Sequence, residues 1–157
     1  KSLGEELQVE VEVCTTPKEV VEQSEIVVTT TPSEEPIIQA DWLHPGLHIT
    51  AMGSDAEHKQ EVDAKVFARV DKIVCDVKRQ CKKLGELHHA FDQGVLEESS
   101  NIIELGELTA GKQAGRTDEA EITICDLTGT GVQDTAIALV AYDKLVNKGV
   151  GFTIHND

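Results

Sequence analysis

Apolar and polar positions alternate with period two in "VEVEV", Val9 to Val13, which predicts a strand with one face exposed. "TTPKEVVEQS" follows with a threonine cap, a proline at an early helical position and an apolar pair, and predicts a short helix ending near Ser24. "EIVVTTTP", Glu25 to Pro32, is a compact β-branched run stopped by Pro32, the pattern of a buried strand. "IIQADWL" predicts a turn of helix, "LHITAMG" a short apolar strand, "DAKVFARV" a helix and "KIVCD" another strand. From Val77 to Ala110 the pattern is mostly helical, with "KRQCKKLGELHHAFDQG" as its main segment and Gly94 as its stop. "GKQAGRTDEA" is a polar loop, "ITICDL" the last clear strand, and "VQDTAIALVAYDKLVNKG" a long helix with Gly149 at its C-terminal end. Strand alternating with helix is the signature of a parallel α/β sheet. No internal repeat and no low-complexity tract breaks the pattern.

Composition narrows the partners. The 157 residues are enough for one domain with a core, and 39% hydrophobic against 27% charged residues is a globular balance. Fourteen basic against 29 acidic residues leave a net charge of -15, which repels phosphate backbones and anionic lipid surfaces. Nucleic acid and membrane partners are therefore not expected. No apolar stretch approaches the ~20 residues of a membrane span, and "KSLGEELQ" lacks a signal-peptide pattern, so a cytoplasmic location is expected. Cys14, Cys75, Cys81 and Cys125 show no CxxC spacing, and three of them end or sit within β-rich runs. They read as reduced core thiols rather than disulfides or metal ligands.

Three strands end in small or polar residues: "VTTTP", "AMGSD" and "CDLTGTG". In open parallel sheets, ligands bind outside the carboxyl ends of the strands, where loops and helix starts gather unpaired N–H groups. The three ends together predict one site, although each is also an ordinary turn. Asp55 follows Gly53, whose missing side chain would let a flat ligand approach the backbone; an Asp there also suits a helix cap. "GTGVQD", Gly129 to Asp134, resembles a dinucleotide fingerprint only superficially, because its third glycine would fall at Asp134; it reads as a tight turn and helix start. His88 and His89 point about 100° apart on a helix and make no i, i+4 pair with another His or Cys, so no metal site is expected. His44 and His48 flank a Pro-Gly turn and read as surface or packing residues. No nucleophile elbow is present.

"IVVTTTPSEEPIIQADWLHPGLHITAMGSDAEHKQEVD" resembles the ornithine cyclodeaminase and mu-crystallin family, whose members carry a Gly-x-Asp-x-x-x-Lys-x-Glu segment after a sheet strand. "GELHHAFDQGV" and "ELGELTAGKQAGRTDEAEITICDLTGTGVQDTAIA" look like the same family, in detail like its cyclodeaminase branch associated with ectoine utilisation. The resemblance implies an NAD(P)-binding α/β domain, a separate substrate-binding and dimerising domain, and a homodimer in the intact protein. It implies a lyase that oxidises an amino acid with NAD, lets an amine attack the imine, releases ammonia and takes the hydride back. An amino-acid dehydrogenase or cyclic-imine reductase is the alternative, and a small-ligand-binding protein of mu-crystallin type the reading from another class. By this resemblance Asp55 is the catalytic carboxylate, accepting a proton from the attacking amine or water. Thr29, the Met52-Gly53-Ser54 backbone and Lys59 would line the dinucleotide. Leu127 stands where ornithine cyclodeaminase has a serine, leaving a backbone contact, and Thr128 falls at a substrate-contacting position that is apolar there. Mu-crystallin lacks this Asp, which favours an enzyme.

The resemblance also exposes a gap. A dinucleotide domain opens with a strand, a glycine-rich turn and a helix, then a second strand whose end carries the ribose-binding acid. Neither is in this sequence, and NADP remains an alternative to NAD because the discriminating residue belongs to that second strand. In the order 3-2-1-4-5-6, "VEVEV" would be strand 3 and "EIVVTT" strand 4. The expectation is a partial Rossmann-type domain, mostly parallel, over residues 1–128. Residues 129–157 would form a C-terminal helix and tail returning toward the substrate domain. Such a C-terminal fragment should associate through its open sheet edge and catalyse nothing alone.

Overall fold

A computed structural model describes residues 3–152 and 154, and five short strands form a single parallel sheet in it. Two helices come first: α1 (Leu3–Leu7) and α2 (Pro17–Gln23). Then follow β1 (Ile26–Thr29), β2 (His48–Ala51), β3 (Lys72–Cys75), α3 (Lys78–Cys81), α4 (Gly85–Asp92), β4 (Ile102–Glu104), α5 (Leu105–Thr109), β5 (Thr123–Asp126) and α6 (Gly131–Asn147). The sheet runs β1-β2-β5-β3-β4, so the last strand enters its centre. Its register aligns Thr29, Ala51, Asp126, Cys75 and Glu104 in one row at the carboxyl ends.

Local chemistry accounts for most elements. The Thr16 side chain accepts from the Glu19 N–H to open α2, with Pro17 in its first turn, as the sequence predicts. "DAKVFARV" forms a 3₁₀ helix, Ala64–Ala68, whose start is capped by Asp63. The long helical segment after Val77 is broken: Leu84 is extended and Gly85 has φ +73°. A Cβ at Gly85 would lie 2.7 Å from Thr128 Cγ2 and 2.8 Å from both Asp126 oxygens, so close approach as well as conformation requires glycine there.

Three expectations change. "VEVEV" is no strand: Val9, Val11 and Val13 are exposed and pair with no neighbour among the described residues. The Val9 N–H turns back to the Gly4 carbonyl at 3.1 Å, and Gln8 has φ +54°. Period-two alternation forms a strand only where a second backbone accepts its hydrogen bonds, and β1, an edge, bonds β2 alone. β1 itself is half-buried, with Val27 and Thr29 inward and Ile26 and Val28 outward. β4 and α1 escaped the pattern. "IIE" is too short to show a period, and its pairing with β3 supplies what the local sequence does not.

The core lies on one side of the sheet. Val27, Ile49, Ile73 and Ile124 meet Val21, Ile38, Val66 and Leu87 from the surrounding helices and loops. The other side carries Ile26 and Val28 exposed beside half-buried His48, Thr50 and Val74. α6 leaves the sheet with no buried residue, presenting Ile137, Leu139 and Tyr142 to solvent. Cys75, Cys81 and Cys125 are buried free thiols and Cys14 is half-buried. No helix among the described residues is long and apolar enough to cross a membrane.

Candidate functional site at the carboxyl ends of the strands

The three strand ends singled out in the sequence are neighbours. The Met52 N–H donates to the Thr29 carbonyl at 3.0 Å and the Leu127 N–H to the Ala51 carbonyl at 2.9 Å, so the ends of β1, β2 and β5 continue as one ladder into their loops. Thr29, Met52, Gly53 and Leu127 therefore share one rim. Met52 is half exposed on it, and Thr29 is buried with its Oγ1 bonded to nothing among the described residues.

Asp55 caps no helix, because the next one begins only at Ala64. Its Oδ1 instead accepts from Lys59 Nζ at 2.6 Å, and this bond holds the Asp55 carboxyl below the usual carboxylate range. The side chain is 60% exposed. It is an ionised, accessible carboxylate on a loop at the sheet rim. Ser54 points inward, its Oγ donating to the Lys59 carbonyl at 2.7 Å, so only its backbone faces the rim. His89 Nε2 donates to the same carbonyl at 2.7 Å, which fixes its tautomer. Gly53 is required, but the space a Cβ would fill belongs to this chain: it would meet the Thr31 carbonyl at 2.3 Å and the Glu61 carboxylate at 2.4 Å.

Thr128 lies on the far side of the rim, held rather than free. Its N–H and that of Gly129 donate to Asp76 Oδ2 at 2.9 and 2.8 Å. Its hydroxyl donates to Asp76 Oδ1 at 3.1 Å and accepts from Gln80 Nε2 at 2.9 Å. Gly129 has φ +81° and α6 begins two residues later, the tight turn and helix start expected of "GTGVQD". His88 pairs with Asp92 at 3.5 Å, His44 Nε2 reaches the Val21 carbonyl at 3.0 Å, and His48 Nδ1 meets Thr123 Oγ1 at 2.7 Å on the sheet face; none of them reaches the rim.

Beneath the rim runs a ladder of buried acids that periodicity does not reveal. Asp126 accepts the Glu86 and Leu87 N–H groups at 3.1 and 2.9 Å, capping α4 from a central strand. Glu86 accepts the Glu61 and Val62 N–H groups at 2.8 and 3.0 Å. Glu61 accepts those of Thr31 and Gly53 at 2.5 and 2.8 Å. Each acid fixes the backbone of the next. The available signal was an acid closing an apolar run, as in "KIVCD" and "ITICD": at that place in a strand the side chain turns into the protein.

Burial pushes Glu86 up to about 8 and Asp126 up to about 7, against the two backbone N–H groups that each accepts. Burial raises Cys125 to about 12, and the Cys81 thiol is raised by its bond with Cys75. An acid with a raised folded pKa holds its proton more tightly folded than unfolded. Its stabilisation is complete below the unfolded value and is lost as pH rises to the folded one. Asp55 and Glu121, lowered by Lys59 and Thr117 respectively, titrate below that window. Burial lowers His48 and works in the opposite direction, as one half-buried ring against two buried acids. The melting temperature is expected to fall by about 5 °C or more between pH 5 and pH 8. Thermal denaturation followed by circular dichroism checks this, and a rising profile would contradict it.

Comparison with known proteins covers the same span. The profile described as the ornithine cyclodeaminase/mu-crystallin family matches residues 2–149. An uncharacterized cyclodeaminase of Sinorhizobium fredii is 52% identical over 135 residues, 86% of this chain and 41% of that protein. An archaeal alanine dehydrogenase dimer with bound NAD superposes with a TM-score of 0.87 at 36% identity, over 98% of this chain and 47% of that one. The Thermococcus litoralis Δ1-pyrroline-2-carboxylate reductase, in complex with NADH and L-proline, gives 0.89 at 27% identity, over 96% and 47%. The chain spans less than half the length of each of these relatives.

Proposed function

The chain belongs to the ornithine cyclodeaminase/mu-crystallin family, and on that footing we propose that it is part of an NAD-dependent cyclodeaminase acting on a small amino acid. The observation that carries this reading is Asp55: an accessible carboxylate on the loop after β2, on the rim shared by β1, β2 and β5. NAD, when bound, supplies the acceptor for the substrate's hydride and returns it. The residues present fit a nicotinamide-side contact, since Thr29 Oγ1 is a buried hydroxyl with no partner among the described residues. Thr29, the backbone of Met52 to Ser54 and of Leu127, and Lys59 line the cofactor, and Thr128 faces the substrate. Asp55 takes the proton from the amine or water that attacks the substrate imine, so that ammonia can leave. In this reading residues 1–128 complete a Rossmann-type domain begun upstream. Residues 129–157 carry α6, whose apolar side chains have no cover among the described residues, back to the substrate domain of a homodimer.

The alanine dehydrogenase and the pyrroline-2-carboxylate reductase among the relatives support a second reading, in which net hydride transfer is the outcome. Incubating the full-length protein with NAD and ornithine, alanine or proline separates the two. A cyclodeaminase releases ammonia with only catalytic NAD and no accumulation of NADH. A dehydrogenase accumulates NADH in step with substrate consumed. Neither product with any of the three amino acids would overturn the first reading.

A further inference from the structure

We propose that Glu61 is a positioning residue for the reaction, setting the place of Asp55 relative to the end of β1 by bridging the two strand-end loops. This rests on the reading of Asp55 as the proton acceptor. Glu61 is fully buried, and each of its carboxylate oxygens is committed to one backbone N–H: Oε1 to Thr31 at 2.5 Å, Oε2 to Gly53 at 2.8 Å.

Glu61 is itself a fixed post. Its own N–H is held by Glu86 at 2.8 Å, and its carbonyl accepts from Ile37 and Ile38 at 2.8 and 3.0 Å. The chain from Gly53 to Glu61 is thereby closed into a ring: Gly53 N–H to the Glu61 carboxylate at its base, Ser54 Oγ to the Lys59 carbonyl across its middle, Asp55 to Lys59 at its tip. Asp55 lies two residues beyond Gly53, so opening the base of the ring releases the backbone that carries it. The glycine is part of the device, because any Cβ at residue 53 would occupy the carboxylate's position.

Thr29 does not depend on this bridge. It is held by the strand ladder, paired with Ala51 and accepting from the Met52 N–H at 3.0 Å. Opening the bridge therefore moves Asp55 together with the Gly53 backbone and leaves the strand end at Thr29 in place. That separation distinguishes positioning from general support of the fold. A proton acceptor displaced by about 1 Å costs up to about 100-fold in rate.

Glu61→Gln keeps the shape of the side chain but turns an amide NH₂ toward one of the two N–H donors, so one anchor is lost. In the full-length protein, with whichever of ornithine, alanine or proline the parent turns over, E61Q is expected to lower kcat about 10- to 100-fold. The KM for NAD should rise by a smaller factor than kcat falls, since Thr29 and Met52 keep their ladder bonds and only the backbone from Gly53 onward is released. A folded E61Q with the parent's kcat, or a loss confined to the KM for NAD, would overturn the proposal. D55N assayed in parallel separates the two claims: an inactive D55N beside a fully active E61Q sinks the positioning role alone. A fully active D55N sinks the reading of Asp55 and this proposal with it, as does a parent that turns over none of the three. If E61Q does not fold, amide exchange on the parent decides. The Gly53 N–H is expected to exchange at least about 100-fold more slowly than a free amide, and free exchange there excludes the bridge.

Discussion

Replacing Asp55 by Asn in the full-length protein is expected to lower kcat by about 10²- to 10⁴-fold, the range that a positioned general base contributes. The substitution keeps the size of the side chain and removes its capacity to take a proton at neutral pH. Lys59 then loses its carboxylate partner, but the pair lies at an exposed loop tip and the Asp55 side chain is 60% accessible, so the fold loses little. D55N should therefore melt close to the parent and bind NAD within about threefold of it. The parent's acid limb should lie at low pH, because Lys59 holds the carboxyl ionised below its ordinary range. D55N should lose that limb altogether. A pH profile of kcat for parent and variant measures both effects, and an active D55N with an unchanged profile would move the proton acceptor elsewhere.

Asp126→Ala is expected to destabilise the protein by about 3–5 kcal/mol, the largest effect on folding among the acids beneath the rim. Asp126 sits in the central strand, fully buried, and its two oxygens are the acceptors for the Glu86 and Leu87 N–H groups at the start of α4. Alanine strands both donors, each costing about 1–3 kcal/mol when left unpaired, and leaves the volume of a carboxyl group empty. Charge is not the main term, since burial raises this acid to about 7 and it is largely protonated in mildly acidic solution. Asp126→Asn, which retains one acceptor, should recover about half the loss. Urea denaturation of parent and both variants gives the comparison; a loss under about 1 kcal/mol in the alanine variant would mean that α4 finds another cap.

The two predictions bear on layers of the molecule that differ in how much of them could be read in advance. Asp55, Lys59 and the strand ends stood in the sequence because each sits where a periodic run stops, and the family resemblance gave Asp55 a chemical role. Asp126, Glu86 and Glu61 did not stand out. In composition they are three of 29 acidic residues; Asp126 alone closes an apolar run, and nothing within a few positions marks Glu86 or Glu61 as buried. Their partners lie 39 and 40, 24 and 25, and 8 and 30 residues away along the chain.

By itself the sequence determined the parallel α/β class, the positions of β1, β2, β3, β5, α2 and α6, and the three loops that meet at the rim. Side-chain periodicity, caps and breakers act within a few residues, so the sequence carries them wherever the fold supplies the matching partner. Tertiary structure alone decided that "VEVEV" remains unpaired, that "IIE" becomes a strand, that β5 enters the centre of the sheet and that the room beside Gly53 belongs to Glu61. A strand needs a second backbone, and a buried carboxylate needs N–H donors from another part of the chain. Neither requirement is local, so the folded contacts rather than the pattern satisfy them.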